Sequence, residues 1–253
     1  MIVGKEMNKS PFIVTLIALC LVLGVIASAQ QGRWITKQKK IHRHFKVTAG
    51  DTLVLFNQSG NIVVNTWNKN DLTVEIAETG TAMDPKRAQT ILDNISTTED
   101  TTNKRRLSFR TSVKALYNSD SKIHTIANPE YNNTNVQVKY EADATYIVYA
   151  PKSINLIIVD GAGTTTIDDL SGNLDLSVAH GCFRIKNLYG ENNRILAAPC
   201  HGDCHLASIK NGSLVSTNWD GKLYIGTQID TNKVKITGWD SVIVQKMGTG
   251  KLH

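Results

Sequence analysis

The chain has 253 residues, with 28 Lys and Arg against 22 Asp and Glu, a net charge of +6 and an aromatic share of only 6%. That length suffices for a full core in one or two domains, and the composition excludes global disorder. Basic residues cluster only at Lys37, Lys39 and Lys40 and at Lys104, Arg105 and Arg106. No basic stripe interleaved with aromatics is present, which argues against a nucleic-acid partner and leaves weak attraction to anionic glycans or a membrane surface.

Residues 12–29, FIVTLIALCLVLGVIASA, follow Lys5 and Lys9 and end in Ala27-Ser28-Ala29. A basic start, an apolar run and a small-residue end predict a secretory signal over residues 1–29, cleaved before Gln30, and hence an exported protein of the periplasm or cell surface. A retained membrane anchor is the alternative, because the run is about as long as a spanning helix requires. Leu19 before Cys20 argues against lipidation. Loss of Lys5, Lys9 and Glu6 leaves a mature charge of +5.

Beyond the signal, Asn, Thr, Gly, Val and Ile dominate, favouring strands and turns. Two continuous parts are expected, residues 30–150 and 151–253. In the first, Thr52–Val64 sets apolar runs on either side of a polar Gly/Asn turn and places Gly60 four positions before Val64. Leu53 and Leu72, 19 residues apart, suggest one to two coils of a repeat. A break follows at Asp84–Ile95: Asp84 can cap, Pro85 suits the first helical position, and Ala88, Ile91, Leu92 and Ile95 share one face, predicting a short amphipathic helix. Residues 117–135, rich in Asn and Ser, read as a loop, and Tyr140–Pro151 returns to strand.

The C-terminal hundred residues repeat. One apolar column, Ile167, Ile185, Leu206, Ile225 and Val244, has spacings of 18, 21, 19 and 19, and Gly163, Gly181, Gly202 and Gly221 precede its first four members by four. A second column, Leu156, Leu174, Ile195, Leu214 and Val234, has spacings of 18, 21, 19 and 20. Repeats of this length cannot bury their own apolar face and must stack. The expected fold is therefore all-β, a right-handed parallel β-solenoid with one short inserted α-helix. Its coils lie about 4.8 Å apart, and its open end near His253 offers a route to homo-oligomers.

The stretches His44-Phe-Lys-Val47, Leu53–Trp67, Tyr146–Pro151 and Ile167–Leu174 together resemble the bacterial putative-adhesin β-strand-repeat family, including head GIN-type domains of the Bacteroidetes. The resemblance implies a right-handed β-helix-like exported protein without a shared active site, and it implies no role for any Cys or His.

Residues 199–206, PCHGDCHL, place Cys200, His201 and Cys204 together, with His180 and Cys182 some twenty residues upstream. The repeat register stacks His180, His201 and Asp220 at one corner, with Ala162 and Trp239 at the ends of that row. It sets Cys182 beside Asp203 and Cys204 beside Phe183. His180, Cys182, Cys200, His201 and Cys204 could supply the thiolates and imidazoles of a zinc site, although paired CxxC knuckles are absent. A disulfide fits export equally, with Cys182–Cys204 preferred over Cys200–Cys204, and ordinary thiols remain open. A Cys–His–Asp nucleophilic set is also conceivable, but solenoid corners bring such residues together by repetition alone. Trp219 and Trp239 recur one coil apart and could stack sugars, or lie half-buried under a loop.

The sequence thus points to an exported, non-enzymatic β-solenoid of the cell envelope, an adhesin-type scaffold for a surface glycan or envelope protein, with no cofactor. A polysaccharide-active enzyme on the same scaffold and a metal- or redox-responsive protein using the Cys/His corner are the alternatives.

Overall fold

The computed structural model describes residues 34–114, 140–197, 202–210, 213–217, 221–228, 233–237, 241–247 and 251–252. For 140, 213–217, 228, 233–237, 247 and 251–252 it describes the backbone alone. The expected signal segment 1–29 and the expected loop 117–135 lie outside the described residues. Contacts divide the chain into Met1–Trp34 and Ile35–His253, and every described strand and helix belongs to the second unit. Among the described residues no helix is long and apolar enough to cross a membrane.

The chain is mostly β with one helix, arranged in two mixed sheets and a smaller parallel one, with no closed barrel. In the parallel part each repeat contributes one strand to one side and the next strand to the other. The first side holds β8 (Asn155–Asp160), β10 (Leu174–Val178) and β12 (Arg194–Ala197), then β14 (Ser213–Thr217), β16 (Lys233–Thr237) and β18 (Lys251–Leu252). The second holds β9 (Thr164–Ile167), β11 (Cys182–Leu188), β13 (Cys204–Ile209), β15 (Lys222–Gln228) and β17 (Ser241–Met247). On this side Ile167, Ile185, Leu206, Ile225 and Val244 are direct register partners, strand after strand, as the first column predicts. The first four are buried, so the column is a continuous apolar file in the core.

The second column holds only in pieces. Leu156 pairs with Leu174 and Leu214 with Val234, but Ile195 pairs with Leu176, two residues from the expected partner. A shift of two leaves every side chain on its own face, so Leu174, Leu176 and Ile195 are all buried and the apolar pattern cannot distinguish the registers.

The N-terminal strands β2 (Thr52–Asn57) and β3 (Ile62–Trp67) are the rung that stacks directly on β8 and β9. Leu53 pairs with Leu156 and Val64 with Ile167, both across 103 residues. The expected coil step from Leu53 to Leu72 is not one: Leu72 belongs to β4 (Asp71–Ala82), which runs antiparallel between β1 (Ile35–Lys46) and β7 (Tyr140–Pro151). The coincident spacing reflects a reversal of the chain after Trp67, not a turn of the repeat. On the other side β6 (Arg106–Val113) pairs with β2, and β5 (Ile95–Asp100) closes the edge antiparallel to β6. The parallel ladders therefore end here in antiparallel strands.

Helix α1 (Pro85–Asp93) packs against β4, β1 and β7. Asp84 caps it, its carboxylate accepting from the Arg87 N–H at 2.8 Å, and Pro85 begins it. Ala88, Ile91, Leu92 and Ile95 form a satellite core with Ala82 and Ala142, the face expected from sequence. Gly80 makes this approach close: a Cβ there would lie 2.5 Å from the Ala88 carbonyl oxygen.

Candidate functional site

The corner that feeds the larger sheet is built by glycines. A Cβ on Gly163, at φ +150°, would stand 2.1 Å from the Gly60 carbonyl oxygen, and one on Gly181 would stand 1.9 Å from that of Gly163. Backbone thus lies on backbone, and the side chains beside the corner are held at fixed offsets. His180 is exposed. The pairing of Arg184 with His205 puts Phe183 level with Cys204 and Cys182 level with Asp203, as the repeat register predicts. Cys204 is fully buried and its Sγ accepts from the Phe183 N–H at 3.4 Å. Cys182 is half-buried, one position out of step, with its Sγ 2.5 Å from where a Cβ on Gly202 would lie. Cys200, His201, Trp219, Asp220 and Trp239 lie outside the described residues. Among the described residues no three His, Cys, Asp or Glu side chains converge on a point that could hold a metal.

The larger sheet carries a feature that the sequence patterning does not reveal. Its outer face has a groove of about 580 Å³ running across β9, β11, β13, β15 and β17. One wall is the row Thr166, Arg184, His205, Tyr224 and Ile243, which are mutual register partners immediately before the apolar column. The His205 and Tyr224 rings stack in parallel, 4.6 Å between centroids and 3° between planes, the arrangement that adjacent in-register strands impose. Arg184 is exposed, and Ile243, at 42% exposure, is among the few large apolar residues open to water.

A phase slip makes the groove. On β11 the inward residues are Phe183, Ile185 and then Leu188; on β13 they are Cys204, Leu206 and then Ile209. Two successive residues on each strand therefore face outward, Lys186-Asn187 and Ala207-Ser208, and the register skips Lys186, Ala207, Gly226 and Gln245. The extra residue bends each strand at one level, as a bulge does. Small residues floor the bend, with Gly226 so close to β13 that a Cβ would lie 2.5 Å from the Ala207 carbonyl oxygen. Beyond it, Asn187 donates to Asp169 at 2.7 Å and accepts from Ser208 at 2.6 Å, tying three rungs together. Lys186 lies 2.7 Å from Asp168, whose hydrogen bond and charge raise the lysine pKa.

The groove wall is recoverable by reading the position before each column residue. Thr, Arg, His, Tyr and Ile share no chemistry, so that position shows no repeat by composition.

Inside, polar side chains line the end of the core nearest the antiparallel strands. Asn57 donates from Nδ2 to the carbonyls of Gly60 at 3.0 Å and Ala144 at 2.9 Å. Thr165 donates to Asp160 Oδ2 at 2.8 Å. Burial pushes the Asp160 carboxyl up to about 6, and it pushes the Tyr146 phenol, hydrogen-bonded to Thr111, up to about 12. Thr111 also bonds Thr97 at 2.7 Å. All of these but the half-buried Thr97 are sealed from solvent, and they hold the two sides of the core together.

No family model matches the chain, and no curated protein matches it. Among solved structures it is similar to a putative cell adhesion protein from Clostridium sporogenes, at 9% identity over 85% of this chain and 100% of that one, with a TM-score of 0.44. A putative adhesin from Bacteroides fragilis matches at 11% identity over 85% and 96%, with a TM-score of 0.35. A putative lipid binding protein from Parabacteroides distasonis matches at 11% identity over 85% and 96%, with a TM-score of 0.31. The adhesin neighbours carry the same name as the family that the sequence resembles. Likeness at this level assigns neither residues nor ligands.

Proposed function

We propose that this chain is an exported, non-enzymatic protein of the cell envelope, adhesin-like in role, that holds a surface partner in the groove of its larger sheet. The parallel ladders are read as turns of a right-handed β-solenoid whose side chains repeat at the strand spacing. The observation that carries the functional reading is the groove itself. It is open, floored by Ala207 and Gly226, and walled by the stacked His205–Tyr224 pair beside an exposed arginine. A few hydrogen-bonding tips above a small-residue floor is a recognition surface. Its described lining residues are Thr, Arg, Lys, His, Tyr, Gln, Gly and aliphatic, without the pair of carboxylates that glycoside hydrolysis requires.

Fluorescently labelled protein lacking residues 1–29, titrated onto bacterial envelope fragments, tests this. Saturable binding is expected, and Ala207→Trp, which fills the floor from an exposed position, should weaken it about tenfold or more. Equal binding by A207W would overturn the reading, as would the release of sugars from the fragments.

A further inference from the structure

Resting on that reading of the groove, we infer that its occupant is an acidic polysaccharide, lying along the stacking direction with its anionic groups on the Arg184 side.

Charge points to the sign of the ligand. The described groove lining contributes Arg184, Lys186 and His205 and no acidic side chain. Lys186 is neutralised by Asp168, but no ion pair is formed by Arg184 among the described residues, and its guanidinium stands exposed on the wall. A planar fork of donors in that position suits a carboxylate or sulfate, which it can hold bidentately.

Shape and spacing point to a polymer of repeating polar units. The groove crosses five strands without interruption, and each strand adds one outward side chain to its wall every 4.8 Å or so. An extended peptide is a poorer fit. Peptides that bind sheets do so by pairing with a free edge, whereas β11, β13 and β15 at the groove's centre are paired on both sides. A folded protein partner would require a buried apolar centre, and Ile243 is the only large apolar side chain exposed in the described wall.

The stacked rings refine the picture. His205 and Tyr224 turn their faces toward each other along the stack, so their edges and polar tips, not their faces, meet the ligand. They act as hydrogen-bonding posts at the wall, in line with Arg184.

Affinity electrophoresis of the protein lacking residues 1–29 tests this, in gels containing polygalacturonate, dextran sulfate or neutral dextran. Retardation by either anionic polymer and not by dextran is expected, with Arg184→Glu weakening it about tenfold. Lys104→Glu, an exposed substitution away from the groove with the same charge change, should retain it. Arg184→Lys should fall between, since it keeps the charge and loses the fork. The two anionic gels distinguish carboxylate from sulfate as the preferred group. Equal retardation in dextran, equal loss in R184E and K104E, or no retardation in any gel overturns the acidic-glycan assignment. If envelope binding still depends on Ala207 in that case, the groove reading stands and only the ligand class falls.

Discussion

Asn57 and Asp160 face each other across β2 and β8 as direct register partners, both fully buried, and the Oδ1 atom of each has no hydrogen-bond partner among the described residues. Register partners on adjacent parallel strands share a face about 4.8 Å apart, so these two unpaired acceptors are expected to share a proton, which a neutral Asp160 carboxyl supplies by donating to Asn57. Burial raises its pKa from 3.8 to about 6, so the unfolded chain loses this proton more readily than the native one. Native protein then binds more protons between those values, and stability falls as pH rises from about 4 to about 6, reaching a constant penalty above. Asp160→Asn keeps an acceptor for Thr165 and gives Asn57 a permanent donor. Urea denaturation at pH 4.5 and 7.5 should show this pH dependence weakened in the variant. D160N should also be the more stable protein at pH 7.5, by up to about 3 kcal/mol. A variant less stable at both pH values would refute the shared proton.

Gly163 combines a left-handed-side φ of +150° with a backbone oxygen 2.1 Å from where its Cβ would sit. Gly163→Ala should cost at least about 1–3 kcal/mol, measured as a shift in denaturation midpoint. Gly50, at φ +83° with nothing nearby, offers the contrast: an alanine there carries conformational strain alone and should cost less.

Lys39 and Glu78 form an asymmetric pair at 2.9 Å, the lysine 58% exposed and the glutamate side chain fully buried. Removing the lysine strands a buried charge. Lys39→Ala is expected to destabilise by about 1–3 kcal/mol. The double variant with Glu78→Gln should recover part of that loss in the same thermal melts.

Asp84→Ala removes the cap of α1 and should lower stability by about 1 kcal/mol. Hydrogen exchange should quicken first at Arg87, whose amide loses its acceptor.

The first apolar column is legible in the sequence because each repeat places one inward aliphatic residue at the same offset, and in the first four a glycine at the corner marks the position four before it. The helix is equally legible, since Asp84, Pro85 and the Ala88–Ile95 face are local signals. Spacing alone gives Ile195 the wrong partner because alternation has a period of two and is blind to a shift of two. Leu72 mimics a coil position because antiparallel return strands alternate just as parallel ones do, so a spacing near 20 does not reveal direction. The groove is hidden for a different reason: its geometry comes from an added outward residue on each strand, while its wall residues share position and not type.

The partnership of Leu53 with Leu156 has a kinetic corollary. Rungs in the C-terminal half join segments 18 to 21 residues apart, whereas seating β2 on β8 closes a span of 103 residues. Closing the longer span costs more chain entropy and waits on a surface that the short-range rungs must first provide. Seating β2 and β3 on β8 and β9 is therefore expected to be a late step of refolding, after the short-range rungs have formed. The early strands can pair with one another, but β2 and β3 cannot seat on β8 and β9 until residues near 160 have been synthesised.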